Sequence, residues 1–395
     1  MDRKRHVPGQ REPAAADARA GGGRVARRPG GLSRAAGVRR AAASGPASAL
    51  EPGRNRAVNR FGSRGNAADV HGGSASGAGS RGGDSRGDGG RRLECAPASS
   101  PEGRRTSMSW GMSGMCGEIA EPLDEQIAGL RVLGVPRANL TKLRLTADRP
   151  AHSIDELSDE QRAELRRRLD GSGIGCYCVT SPVGKYAVDT DEAKVERQLT
   201  RSIEAANVLG SRWIRVFSFA PSDGSTGAED RDAVKGAFER LVRRIETDGD
   251  GVVALLENNY RMYTLDGDRT LDILSDYDPE QVALAFDAHA YVVSETRPFD
   301  EAWGKVAPWV RVLHLKDYVA ATGTIVPIGQ GDGQWPQIMQ AVDPNVIEDL
   351  ALEPHLNSSA YGAGRDHLDL FREARNAVLA MLDATGKPRP ATSVA

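Results

Sequence analysis

The feature that most constrains the fold is a set of four apolar runs, each ending at a side chain able to bind a metal ion. The terminal residues of these runs are Glu257, Asp287, His314 and Glu353. Each run contains four to six mostly aliphatic residues with little polar alternation, which is the pattern of a strand buried on both faces. The runs therefore predict a parallel sheet, because helices cover both faces of such a sheet.

The spacing of these four residues indicates one repeated unit. From Glu257 to Asp287 is 30 positions, the next step is 27, and the last is 39, close to the length of one strand plus one helix. In a closed barrel of such units, the carboxyl ends of the strands meet on one face, so we expect the four side chains to converge there. Oxygen ligands with one imidazole favour Mn²⁺ or Mg²⁺, are compatible with Co²⁺ or Zn²⁺, and do not match a thiolate-bound structural zinc.

The rest of the chain after residue 107 supplies the remaining units. Apolar runs predict earlier strands at 109–114, 138–145, 176–180 and 213–219. Helical periodicity predicts helices at 122–133, 158–169, 191–209, 230–247 and 368–382. Ser158 and Gln161 have the spacing of a capping box. The predicted fold class is therefore α/β, a (βα)8 TIM barrel over residues 108–385, with a disordered C-terminus at 386–395.

Residues 1–107 have a different composition. They hold 21 Arg and Lys against nine Asp and Glu, 21 of the 45 Gly, and one aromatic residue, Phe61. Such a segment cannot bury enough apolar surface to offset the entropy of ordering, so we predict a long disordered tail. Arg-Gly segments such as 80–87 are typical of nucleic-acid contacts, but the aromatic residues that would stack on bases are missing. Met108 is an alternative start, in which case the tail is non-coding sequence read in frame.

Three absences bear on the expected location. The four Cys residues form no Cys-x-x-Cys pair, and no run approaches the ~18 apolar residues of a membrane-spanning helix. The basic N-terminus is followed by no apolar leader segment. We therefore predict a cytoplasmic protein with no membrane partner and with reduced thiols.

Seven segments together carry a family resemblance: 181–185, 215–219, 256–258, 286–289, 314–317, the glycine-containing loop 328–335, and 352–355. In order and spacing they resemble the sugar phosphate isomerase/epimerase family of the xylose isomerase-like TIM barrels, in the AP endonuclease family 2 superfamily. The resemblance implies a divalent-metal-dependent isomerase or epimerase. Its substrate would be a small sugar, sugar phosphate or keto-polyol, and the reaction would pass through an enediolate. Homo-oligomers are common among the relatives.

The resemblance also implies roles for individual residues. All four strand-end residues would hold the metal, and Glu257 and Glu353 would in addition exchange protons on opposite faces of the substrate. Four further residues just beyond strand ends are predicted to bind substrate: His289, Lys185, Lys316 and His355. The three glycines of loop 328–335 predict a flexible loop that closes over the substrate, with Trp335 packed beneath it.

Three other functions remain open for this fold. A keto-sugar dehydratase or another lyase would use the same proton abstraction. An AP endonuclease-like phosphodiesterase is disfavoured because strands two and three lack the extra His ligands of those enzymes. Residues 108–395 also hold 31 basic against 45 acidic residues, a balance that repels DNA. A non-catalytic sugar-binding module is disfavoured by the intact ligand set.

Overall fold

Eight parallel strands form a closed barrel in this computed structural model, which describes residues 110–225 and 227–391. Each strand pairs with its sequence neighbours, and the last strand pairs with the first. The strands are β1 (Gly111–Met115), β2 (Arg137–Leu140), β3 (Gly175–Thr180), β4 (Trp213–Val216), β5 (Val253–Glu257), β6 (Val282–Asp287), β7 (Val310–Leu315) and β8 (Asp349–Leu352). The predicted fold class is confirmed.

Helices connect successive strands, and one more follows β8. They are α1 (Leu123–Val132), α2 (Asp159–Ser172), α3 (Glu192–Leu209), α4 (Arg231–Asp248), α5 (Gly267–Leu274), α6 (Ala288–Val293), α7 (Gly304–Val306), α8 (Trp335–Ala341) and α9 (His367–Thr385). A π-helical segment, Pro298–Trp303, leads into α7. Short 3-10 segments lie at Cys116–Glu118, Ile154–Glu156, Ala307–Trp309, Leu356–Ser358 and Ala360–Gly362.

Two short antiparallel ribbons lie outside the barrel sheet. One pairs Lys142–Leu143 with His152–Ser153, and the other pairs Asp317–Val319 with Thr324–Val326. The first ribbon explains why the predicted second strand, 138–145, is too long: β2 ends at Leu140, and the chain then turns to a different partner. The capping box at α2 is confirmed, because Ser158 and Gln161 exchange backbone-to-side-chain hydrogen bonds.

Alternation along the strands separates the barrel interior from the layer beneath the helices. Leu255, Ala285 and Ala351 belong to one buried cluster, which we assign to the interior. Their strand neighbours, including Leu256 and Leu352, belong to the larger cluster that packs against the helices. Because side chains repeat with period two, the residues two positions after Leu255, Ala285 and Ala351 also face inwards, at the carboxyl end.

The amino-terminal end of the interior holds a polar network, which we call the floor network: Ser113, Arg137, Asn139 and Asp349. Asp349 is completely buried, accepts a hydrogen bond from Ser113 Oγ, and lies 2.5 Å from Arg137 Nη2. Asn139 Nδ2 donates to Ser113 Oγ at 2.7 Å, and the Arg137 guanidinium stacks 4.5 Å from the ring centre of Tyr177. Burial raises the pKa of Asp349 to about 6, against the opposing effect of Arg137.

The predicted N-terminal tail, 1–107, lies outside the described residues, and so do the last residues of the predicted C-terminal tail, 392–395. Residues 386–391 are described and contact the barrel. Lys387 Nζ donates to the carbonyl oxygen of Val342 at 2.7 Å, and Trp110 Nε1 donates to that of Pro388 at 2.8 Å. No helix within the described ranges is long and apolar enough to cross a bilayer.

Candidate active site

The four strand-end residues predicted from the sequence all lie at the carboxyl end of the barrel. Glu257 and Asp287 are the last residues of β5 and β6, His314 lies near the end of β7, and Glu353 directly follows β8. β6 and β7 pair with one register shift, between Leu284 and Ala285, after which Asp287 pairs with His314. All four residues are buried. The period-two repeat therefore directs three carboxylates and one imidazole into the same part of the barrel.

Three of these residues form a compact group, which we call the Glu-His-Glu cluster: Glu257, His314 and Glu353. One ligand atom from each lies within 4.8 Å of the others. His314 Nδ1 is 2.8 Å from Glu353 Oε2 and 3.6 Å from Glu257 Oε2, but neither contact has the geometry of a regular hydrogen bond. A buried nitrogen without a hydrogen bond, facing two carboxylates, fits a divalent cation held by the three side chains.

Asp287 lies beside this cluster but is bound differently. Lys316 Nζ lies 3.0 Å from Asp287 Oδ2 and 2.6 Å from Glu353 Oε2, and Asp287 Oδ1 accepts a hydrogen bond from the backbone nitrogen of Ala290. Burial alone would lower the pKa of Lys316, but Asp287 and Glu353 together raise it. The structure thus brings three of the four predicted ligands together and joins the fourth to them through a buried ammonium group.

Lys316 is also one of the four predicted substrate-binding residues, and its side chain is only 2% exposed. Burial alone would raise the pKa of Glu353, but Lys316 and His314 hold it well below its usual value. Glu353 is therefore a carboxylate at neutral pH. The Lys316 ammonium, 2.6 Å from Glu353 Oε2, stabilises this charged form.

Arg215 is a site residue that the sequence interpretation did not identify. It lies in β4, where its Nη1 is 3.1 Å from Glu257 Oε2 and its Nη2 donates to the carbonyl oxygen of Ser181 at 3.0 Å. The strand pattern could have indicated it. Trp213 faces the barrel interior, and Arg215, two residues later in the same strand, therefore faces the interior as well. What the sequence lacks is the contact between the ends of β4 and β5, which makes Arg215 the partner of Glu257.

His355, a predicted substrate-binding residue, joins Glu353 to Glu118 at the end of the segment after β1. His355 Nε2 is 3.3 Å from Glu353 Oε1, and its Nδ1 is 3.1 Å from Glu118 Oε1. The backbone nitrogen of His355 donates to Glu118 Oε2 at 2.6 Å. Burial opposes protonation, but Glu118 raises the pKa of His355 to about 10. His355 is therefore an imidazolium at neutral pH.

The other two predicted substrate-binding residues line the opening at the carboxyl end of the barrel, which we call the mouth. His289 is buried, its Nδ1 is 4.0 Å from Asp287 Oδ2, and this nitrogen has no hydrogen-bond partner among the described residues. Its ring packs edge-on against Tyr260 and Tyr318. Burial lowers the pKa of His289, which favours the neutral ring. Lys185 is exposed, with its Nζ 4.9 Å from the ring centre of Phe217.

The glycine loop 328–335 is fastened to the barrel rather than free. The buried carboxylate of Asp317 accepts hydrogen bonds from the backbone nitrogens of Gly329, Gly331 and Gly333 at 2.9, 3.0 and 2.9 Å. A Cβ on Gly331 would lie 2.5 Å from Asp317 Oδ1, so the glycine permits the close approach. The expectation of a flexible lid is corrected, because one buried carboxylate binds three amides of the loop. Trp335 is fully buried, as predicted.

Two adjoining cavities open at this end of the barrel. One, the cluster lobe, has a volume of about 490 Å³ and is lined by Glu257, Asp287, His289 and Lys316. The other, the basic lobe, has a volume of about 380 Å³ and is lined by Lys142, Lys185 and Arg215 together with Glu118 and Glu121. Lys185, Glu353 and His355 line both. The two lobes therefore meet at a candidate proton-exchanging residue, Glu353.

A family model described as xylose isomerase-like TIM barrel matches residues 142–369 of the chain. This match spans more than half of the sequence and includes Glu257, Asp287, His314 and Glu353. No curated protein sequence matches the chain.

Similar solved structures share the fold at low sequence identity. A D-tagatose 3-epimerase-like protein is 15% identical with a TM-score of 0.54, covering 71% of this chain and 98% of that chain. The probable 3-DHS dehydratase AsbF from Bacillus anthracis is 15% identical with a TM-score of 0.52, covering 69% and 99%. The IOLI protein with a binding zinc atom is 14% identical with a TM-score of 0.53, covering 70% and 99%. At these identities the likeness establishes the fold alone.

Proposed function

This chain belongs to the xylose isomerase-like TIM barrel family, and from that premise we propose that it is a divalent-metal-dependent isomerase or epimerase. The substrate is a small sugar, sugar phosphate or keto-polyol. The observation that carries the proposal is the convergence of Glu257, His314 and Glu353, whose ligand atoms lie within 4.8 Å of one another in a buried site. A D-tagatose 3-epimerase-like protein has the same barrel fold.

Glu257, His314 and Glu353 would hold the metal, and Asp287 remains the predicted fourth ligand. Two or three carboxylates with one imidazole suit Mn²⁺ or Mg²⁺. Zn²⁺ is also compatible, and the similar IOLI protein has a zinc atom. The bound cation supplies a Lewis acid that polarises a substrate carbonyl group.

The chain's own residues perform the proton transfer. Glu353 is held as a carboxylate by Lys316 and His314, so it can accept a proton from the carbon beside the carbonyl group. Glu257, oriented by Arg215 at 3.1 Å, is the second proton-exchanging group. Return of the proton to the neighbouring carbon, the former carbonyl carbon, gives the isomer, and delivery of a proton by the other residue to the opposite face of the original carbon inverts that carbon.

A second candidate is a keto-sugar dehydratase, and one contact favours it. His355, protonated because of Glu118, lies 3.3 Å from Glu353, so it can donate a proton to a departing hydroxyl group after Glu353 has removed the neighbouring proton. The similarity to the probable 3-DHS dehydratase AsbF is consistent with this chemistry.

The test is solvent exchange followed by NMR in D₂O. Mg²⁺-loaded protein is incubated with a panel of ketoses, ketose phosphates and keto-polyols, and deuterium at the carbon beside the carbonyl is measured. We expect exchange with at least one substrate. Glu257→Gln and Glu353→Gln should reduce its rate roughly 10²–10⁴-fold, and Glu125→Gln, on the exposed face of α1, should not. Exchange that survives both active-site changes would contradict the proposal, and loss of water from the product would select the dehydratase.

A further inference from the structure

The basic lobe has more positive than negative charge available to a ligand. Its two carboxylates already have partners: Glu118 pairs with His355 at 3.1 Å, and Glu121 pairs with Arg144. The Lys185 ammonium, by contrast, lies within ion-pair distance of no carboxylate in the part of the chain that the structure describes. Lys142, which lines the same lobe, also has no such partner there. Uncompensated cations on the wall of a cavity attract an anion.

Arg215 supplies a second, independent observation. It is only 7% exposed, and its Nε makes no hydrogen bond with the described residues. Its guanidinium carbon lies 4.7 Å from the ring centre of Phe217, and Lys185 Nζ lies 4.9 Å from the same centre. One aromatic ring thus holds both cations at the wall of the basic lobe. Nη1 and Nη2 each make one of the bonds described above, to Glu257 and to Ser181, so the guanidinium keeps further N–H groups for an oxygen in the lobe that it lines.

The charge of the whole mouth leads to the same conclusion. Four carboxylates face it, those of Glu118, Glu257, Asp287 and Glu353, and three cations pair with them, those of Arg215, Lys316 and His355. Adding the Lys185 ammonium makes the positive and negative charges equal, so the charge of the proposed divalent metal would be the excess that an anionic substrate neutralises. Desolvation lowers the pKa of Lys185 and the neighbouring Arg215 lowers it further, while Glu257 and Glu353 oppose both effects. A neutral sugar would add no negative charge beside these two cations.

We propose that the basic lobe binds a phosphate or carboxylate group of the substrate, through Lys185 and Arg215. The reacting carbons then lie in the cluster lobe, so the substrate is an anionic sugar or polyol with its charged group away from the carbonyl. Arg215 presents a planar donor group suited to such oxygens, and Lys185 adds a mobile positive charge. This inference rests on the proposed function, because it assigns a substrate class to that site.

The test is calorimetric titration of the full-length protein with inorganic phosphate and with acetate, with sorbitol as the uncharged probe. Titrations are repeated with EDTA-treated and Mg²⁺-loaded protein, which separates binding in the basic lobe from binding to the metal. We expect saturable binding of at least one anion to both forms and none of sorbitol. Phosphate alone indicates a phosphate ester, and acetate binding as well indicates a carboxylate.

Variants locate the anion. Lys185→Met should weaken anion binding at least tenfold, and Lys185→Arg should retain most of it. Lys194→Met is the matched control, because Lys194 also lies over an aromatic ring, 5.2 Å from the centre of Tyr186, but lines neither lobe. Absence of anion binding by the wild-type protein, or equal binding by Lys185→Met, would overturn the inference.

Different results would reject the proposed reaction and the proposed anion site. Anion binding that depends on Lys185, without deuterium exchange of any substrate, would reject the isomerase and dehydratase reactions and leave the anion site intact. Deuterium exchange on a neutral ketose, at a rate unaffected by Lys185→Met, would retain the reaction and reject the anionic substrate.

Discussion

Single contacts decide how the mouth of the barrel works, as the two ion pairs of Lys316 illustrate. The sequence places it just after β7, where lysines are commonly solvated, and the structure instead buries it between Asp287 and Glu353. Lys316 is buried because of ion pairs with side chains from β6 and from the end of β8. These contacts are distant in the sequence, so no local pattern predicts them. For the same reason Arg215 was not identified and Glu118, beyond the first strand, could not be assigned a role: their partners lie 42 and 237 positions away.

Lys316→Met should therefore destabilise the metal-free protein. The substitution leaves two buried carboxylates without their shared cation, which costs about 3–5 kcal/mol of unfolding free energy. Urea denaturation in EDTA measures the loss. Adding Asp287→Asn to the variant removes one of the two unpaired buried carboxylates and should recover part of the stability. Equal stability of Lys316→Met and the wild type would show that the ammonium does not hold these carboxylates.

At the scale of the elements, the apolar runs and the helical periodicity were the most informative patterns. They predicted the strands that end at Glu257 and Asp287 and most of the helices, because each of these elements is local in the sequence. The path of loop 328–335 was not predictable. Its glycines indicate freedom, but the carboxylate that removes that freedom, Asp317, belongs to the neighbouring strand.

Asp317→Ala should release the glycine loop. Three backbone N–H groups lose their acceptor, so we expect a loss of about 1–3 kcal/mol and faster hydrogen exchange of the loop amides. Hydrogen–deuterium exchange with mass spectrometry resolves the peptide that contains residues 328–335. The barrel strands, as an internal reference, should change much less. If the loop amides exchanged no faster than in the wild type, contacts other than those of Asp317 would hold the loop in place.

The floor network joins β1, β2 and β8 and should make stability depend on pH. The pKa of Asp349 is about 6 in the folded protein, above the usual value of an unfolded aspartate, so the folded state binds this proton more tightly. The stabilisation is complete below the unfolded pKa and is lost as pH rises through about 6, by on the order of 1–3 kcal/mol. Asp349→Asn should remove this part of the pH dependence in urea denaturation between pH 4 and pH 7.5. An unchanged pH profile would contradict the assignment to Asp349.

For the whole molecule, the spacing of four strand-end residues was sufficient to predict a closed barrel with a site at its carboxyl end. The spacing predicts the site because each strand-plus-helix unit ends its strand at the same end of the barrel. The sequence could not give the division of the mouth into a cluster lobe and a basic lobe, since Lys185, Glu353 and His355 come from different units. Nor could it show that Asp287 is joined to the cluster through Lys316.

The central claim is that Glu257, His314 and Glu353 bind one divalent cation, and calorimetric titration of EDTA-treated protein with Mn²⁺ tests it most directly. The account predicts one site per chain, with affinity at least tenfold weaker in His314→Gln and in Glu353→Gln. His367→Gln, an exposed histidine at the start of α9, should bind Mn²⁺ as the wild type does. Absence of binding by the wild-type protein, or equal affinity in all three variants, would contradict the account.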